Sequence, residues 1–176
     1  FLSFFPTLGI ILNMDADHLD FFKDIDDIRH SFRKFAELLP ADGALIINAD
    51  TPKYEMVAEN LPCKVITYGL EHDAEYSASD IIYDEFGHPT FHVLHNGADI
   101  GICSLKVPGI HNVSNALASI AAGRLLGLDN EVIFAGLKDF GGTDRRFQYK
   151  GKIGEVTIID DYAHHPTEIE ATLHAA

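Results

Sequence analysis

Leu8-Gly-Ile-Ile-Leu12 runs without a break into Asn13-Met-Asp-Ala-Asp-His-Leu-Asp20. A short continuous apolar run is the pattern of a strand covered on both faces, as strands of parallel sheets are. The polar octapeptide then falls at the strand's carboxyl end, where open α/β sheets collect ligands. One imidazole among several carboxylates suits Mg²⁺ or Mn²⁺ attached to phosphate, because hard cations favour oxygen ligands and tolerate a nitrogen. The same string also suits a solvated acidic loop that caps the following helix, and the residues alone leave both readings open.

Strand and helix signals alternate outward from this stretch. Ile25, Ile28, Phe32, Phe35, Leu38 and Leu39 recur at helical spacing up to Pro40, and Asp42-Gly43 supplies a turn. Ala44 to Ile47 reads as a second strand. Thr51-Pro52 opens a helix to about Asn60, with proline in its first turn, and Lys64 to Tyr68 reads as a third strand. This order predicts an open, mainly parallel α/β sheet with flanking helices. From Ala74 to Val107 the pattern changes. Three stretches, separated by Phe86-Gly-His-Pro89 and by Asn96-Gly97, predict a small antiparallel sheet appended to the α/β core. Helices return over His111 to Leu126 and Asp129 to Leu137. Phe140-Gly-Gly-Thr143 reads as a hinge, Glu155 to Ile159 as a strand, and Pro166 to Ala176 as a helix. The expected division is residues 1–142 as one α/β domain and 143–176 as a linker with the first strand and helix of another.

The chain has 176 residues, enough for a substantial core. Its 13 basic and 27 acidic residues give a formal net charge of -14. That argues against nucleic acid or an anionic membrane surface as a partner, since both require positive charge. A nucleotide remains compatible, because a metal, an arginine and helix N-termini form a local phosphate site in an acidic protein. Phe1 to Leu12 is too short to span a bilayer. Cys63 and Cys103 form neither a disulfide framework nor a zinc pattern, which suits a reducing, cytoplasmic setting.

Three further strings have chemical potential. Pro108-Gly-Ile-His-Asn-Val-Ser-Asn115 places His111 and Asn115 four apart on one helix face. An Asn amide donates and accepts together, as an adenine edge requires; a helix cap and a buried polar contact would use the same residues. Gly141-Gly-Thr-Asp-Arg-Arg-Phe147 offers a guanidinium to a phosphate beyond a glycine hinge, or is a solvated linker. Asp160-Asp-Tyr-Ala-His-His-Pro-Thr-Glu168 gathers carboxylates, a phenol and two imidazoles between a strand and a helix. It reads as a ribose and small-substrate site or as a helix-capping loop. No GxxxxGK[ST] is present, so nothing in the chain can cradle a triphosphate alone.

In this order, DADHLD, PGIHNVSN, GGTDRRF and DDYAHHPTE resemble the Mur ligases over nearly the whole chain, and within them the branch that adds L-alanine. The resemblance implies ATP-dependent ligation of L-alanine to UDP-N-acetylmuramate through an acyl phosphate, in cytoplasmic peptidoglycan precursor synthesis. It implies ATP and Mg²⁺ (or Mn²⁺) as cofactors. By this resemblance His18 is a catalytic metal ligand near the γ-phosphate, His111 and Asn115 are adenine-side contacts, and Arg146 reaches the ATP phosphates. Asp161 matches a ribose contact, and Tyr162, His164 and His165 lie on the amino-acid side of the cleft. Roles within the pairs Asp160-Asp161 and His164-His165 stay open. The family's P-loop is expected before Phe1 and most of its C-terminal domain after Ala176, so the 176 residues alone are expected to be inactive. The competing expectations are a recycling ligase that adds a whole tripeptide to the same sugar nucleotide, and a non-catalytic nucleotide- or metal-binding module.

Overall fold

The computed structural model describes residues 2–175; Phe1 and Ala176, which end the expected domain ranges, lie outside the described residues. One mixed sheet forms the body. It runs in sequence order through β1 (Leu8–Ile11), β2 (Ala44–Asn48), β3 (Lys64–Tyr68), β4 (Tyr76–Tyr83), β5 (Pro89–His95) and β6 (Ala98–Ser104). β1, β2 and β3 are parallel, in a register that sets Ile11 beside Ile47 and Ile47 beside Thr67. The expected antiparallel strands join this sheet at its edge through a single parallel pairing, Tyr68 with Tyr76, and then fold back as two hairpins.

Both faces of the parallel strands are covered, which explains their unbroken apolar sequences. Leu45 and Ile47 point to one side, where they pack with Ile11, Ala36 and Val57 beneath α1 (Ile25–Ala36) and α2 (Glu55–Ala58). Ile46, Ile66 and Tyr68 point to the other side, against Val113, Leu117, Ile120 and Ala121 of α3 (Ile110–Leu125). Ala116, Ala118 and Ala121 are buried, and their small side chains bring α3 close to the sheet. α4 (Asn130–Asp139) packs beside α3 and β6.

The second helix is shorter than the sequence predicts. Thr51 to Tyr54 forms turns rather than a first helical turn, because Lys53 takes a left-handed φ of 61°. Beyond the body, β7 (Gln148–Ile153) and β8 (Val156–Asp160) form a two-stranded antiparallel hairpin, followed by α5 (Pro166–Ala175). Only β8 and α5 were expected from the sequence.

Candidate functional site

The site is built at the carboxyl end of β1 and β2. Asn48 Nδ2 donates to the Leu12 carbonyl at 3.2 Å, and the Tyr68 hydroxyl lies 3.4 Å from the same oxygen. The exit of β1 is thus tied to its neighbours, and buried Met14 anchors the next residues in the core. The loop then turns tightly. Asp15 Oδ1 accepts from the Ala16 amide at 2.7 Å, and the Asp15 carbonyl accepts from the Asp17 amide at 2.9 Å. Asp17 Oδ1 accepts from the His18 amide at 2.7 Å, and His18 sits at a positive φ of 53°. The His18 side chain is 74% exposed, with Nε2 3.6 Å from Asp17 Oδ2.

One exposed imidazole beside one carboxylate suits a hard cation that completes its shell with water and phosphate oxygens. Among the described residues, no three His, Cys, Asp or Glu side chains gather into a cage.

The C-terminal segment comes back to this loop. Thr167, in the first turn of α5, donates its hydroxyl to Asp15 Oδ2 at 2.7 Å. His165 Nδ1 lies 3.7 Å from the same oxygen, and its Nε2 lies 3.4 Å from the Ala16 carbonyl. The Thr167 bond, followed by the Ala16 amide and the nearby His165, holds the Asp15 carboxyl below the ordinary range. Glu168 Oε2 accepts from the His164 and His165 amides at 3.2 and 3.4 Å. Its other oxygen lies 3.8 Å from the half-exposed Arg146 guanidinium.

Asp161 organises the strings on either side of the hairpin. Its Oδ2 accepts from the Phe147 amide at 2.8 Å and its Oδ1 from the Ala163 amide at 2.7 Å. Burial raises its pKa, but these amides, the Thr172 hydroxyl and Arg146 outweigh burial and leave it lowered. Asp160 instead pairs with Lys150 at 3.6 Å. Arg145 stacks over the Tyr162 ring at 4.5 Å, and the Tyr162 and His164 rings meet edge to face at 5.4 Å.

His111 opens α3, half-buried, with Nε2 3.1 Å from Asn112 Nδ2. Burial lowers its pKa while Asp161 partly raises it, a balance that favours the neutral ring. Asn115 stands one turn further along, exposed. The second and fourth strings are therefore electrostatic neighbours, and the first and fourth are in direct contact. Arg146 joins the third string to the fourth through Glu168. The sequence reading assigned no role to Asp15, Thr167 or Glu168. Their signal lay inside the quoted strings: Pro166-Thr-Glu168 is an ordinary helix start, with Glu able to cap the turn before it.

A cleft of about 960 Å³ lies elsewhere, lined by Lys64, Glu75, His95, Arg124 and Asn130. It opens at the start of β3 and the end of α3, away from the four strings, and holds none of their residues.

Comparison with known proteins places the chain in a family. The chain matches the Mur ligase middle domain over residues 2–123 and the Mur ligase glutamate ligase domain over residues 145–176. It belongs to the Mur ligase family. Among its relatives, the UDP-N-acetylmuramate–L-alanine ligase of Lachnospira eligens is 58% identical over all of this chain and 39% of its own. The crystal structure of the UDP-N-acetylmuramate-alanine ligase MurC from Thermotoga maritima is 30% identical. It superposes with a TM-score of 0.81 over 99% of this chain and 39% of its own. A murein peptide ligase from Psychrobacter arcticus is 27% identical, with a TM-score of 0.72 over 98% of this chain and 35% of its own. The chain thus spans about two fifths of the length of the curated relatives it matches.

Proposed function

We propose that this chain supplies phosphate-facing and amino-acid-facing parts of an ATP-dependent ligase that joins L-alanine to UDP-N-acetylmuramate in cytoplasmic peptidoglycan precursor synthesis. The observation that carries this reading is the contact of Asp15 with Thr167 and His165, which unites two strings about 150 residues apart at one strand end. The identity to alanine-adding ligases along the whole chain supports the same assignment.

In this reading residues 1–142 belong to the nucleotide-binding domain and residues 143–176 begin the amino-acid domain, a division in keeping with the two matched ranges. ATP transfers its γ-phosphoryl group to the lactyl carboxylate, giving an acyl phosphate and ADP. The L-alanine amine then attacks the acyl carbon, loses a proton, and inorganic phosphate leaves. A Mg²⁺ or Mn²⁺ ion held by His18, when bound, neutralises phosphate oxygens. Arg146 keeps donors free beyond its partner Glu168, so its planar guanidinium can take a phosphate. His111 and Asn115 face the adenine. Asp161 borders the ribose while its amide bonds keep the Arg146-Phe147 segment in place. Tyr162, His164 and His165 line the amino-acid side. Phosphoryl transfer depends mainly on such positioning and charge neutralisation, and closure across the hinge keeps water from the acyl phosphate.

The test is phosphate release by the intact protein supplied with ATP, Mg²⁺ and UDP-N-acetylmuramate. Release that depends on L-alanine is the expected result. Release driven instead by the tripeptide assigns the protein to the recycling reaction. Release driven by neither overturns the ligase reading.

A further inference from the structure

The seat of the C-terminal segment on the body is thin. No residue of α5 is buried, and among the described residues no strand or helix of 148–175 packs extensively on an element of the body. At the site the two segments meet through polar contacts, of which the Thr167 hydroxyl on Asp15 is the shortest at 2.7 Å. Asp15 also shapes the loop that ends in His18. Its side chain holds the Ala16 amide and its carbonyl holds the Asp17 amide. On the other side, Thr167 shares the first turn of α5 with Glu168, which caps His164 and His165 and faces Arg146. One hydroxyl thus spans the gap between the loop carrying Asp17 and His18 and the turn whose Glu168 faces Arg146.

We propose that Asp15 and Thr167 form a positioning pair, which sets the Asp17-His18 loop in register with Arg146 when the two parts of the site come together. Neither residue touches substrate in this role. This inference rests on the ligase reading for its kinetic consequence, but not for its structural one. Asp15 is geometrically suited to the task, because its two oxygens divide the work: Oδ1 holds its own loop and Oδ2 holds Thr167. His165, at 3.7 Å from Oδ2, adds a second contact from the same turn. Displacements of about 1 Å around reacting groups cost about 10²-fold in rate, so a pair that fixes register affects turnover more than ground-state binding.

The experiment uses the intact protein and the variants Thr167→Val, Thr167→Ser, Asp15→Ala and the double variant Thr167→Val/Asp15→Ala. Two readouts are taken. In hydrogen exchange, Thr167→Val is expected to speed exchange at Ala16 and Asp17, with Thr167→Ser close to the parent. In the ligase assay, Thr167→Val is expected to lower kcat about ten- to hundredfold. The KM for ATP stays within about twofold, since only transition-state alignment is lost. Thr167→Ser restores kcat, and the double variant is little worse than Asp15→Ala alone, because that substitution already removes the shared contact together with the Ala16 bond. Unchanged exchange at Ala16 and Asp17 in Thr167→Val overturns the pair, whatever the kinetics. Failure of serine to rescue, or fully additive losses in the double variant, overturns it as well. If the parent protein ligates nothing, the ligase reading fails, while the exchange experiment still decides the pair.

Discussion

Asp161 has its two carboxylate oxygens engaged by the amides of Phe147 and Ala163, so its charge holds together the segments on both sides of the hairpin. Its pKa is lowered from an ordinary value of 3.8. A carboxyl with a depressed folded-state pKa contributes stability that is complete above the unfolded value and is lost as pH falls through the folded one. The expected outcome is that the Phe147 and Ala163 amide resonances hold steady from neutral pH down to about pH 4 and move together below it. In Asp161→Asn that shared low-pH step should be absent; an unchanged titration contradicts the assignment. The sequence marked Asp161 as a site carboxylate. It could not show that two amides already occupy it, because Phe147 is brought to it only by the hairpin. His18 was legible as a candidate metal ligand at the carboxyl end of a strand, whereas its positive φ follows from the local turn that Asp15 and Asp17 impose.

The helices and strands follow local chemistry where that chemistry is strong. Asp24 caps α1, accepting from the Asp26 and Asp27 amides at 3.1 and 3.0 Å, and Arg33 lies near the helix C-terminus. Asp24→Ala is expected to destabilise the protein by about 1 kcal/mol in urea unfolding, with Asp24→Asn losing much less; equal losses would point to the charge rather than the cap. α1 was legible because its apolar residues recur at helical spacing over a dozen positions. α2 was not: Pro52 promised a helix start, but Lys53 turns left-handed and leaves four helical residues. β7 was missed because Gln148-Tyr-Lys-Gly-Lys-Ile153 has little intrinsic strand preference and a glycine at a bulge. Its conformation comes from pairing with β8, a contact outside any local window.

At the scale of the molecule, the body and the C-terminal segment differ in how they are held. The body has two layers of fully buried side chains around Leu45, Ile46 and Ile47, whereas α5 buries none. Local opening is therefore expected to be easiest at the join. Limited trypsin digestion of the chain should cut first at Arg145 or Arg146. Earlier cleavage at Lys53 or Lys64, inside the body, would contradict this ordering.

The sequence by itself determined the α/β class, the positions of the parallel strands, the helices α1, α3 and α4, and the membership of four strings in one family. Those features are local: apolar runs, helical periodicity and short strings of polar residues carry them without reference to the rest of the chain. Only the tertiary structure decided that the antiparallel strands extend the same sheet through Tyr68 and Tyr76, and that Asp15 meets Thr167 across about 150 residues. Both depend on a single pairing or a single hydroxyl between distant segments. Contacts of that kind leave no periodicity in the sequence, because they are set by where the packed layers bring strand ends and helix starts together.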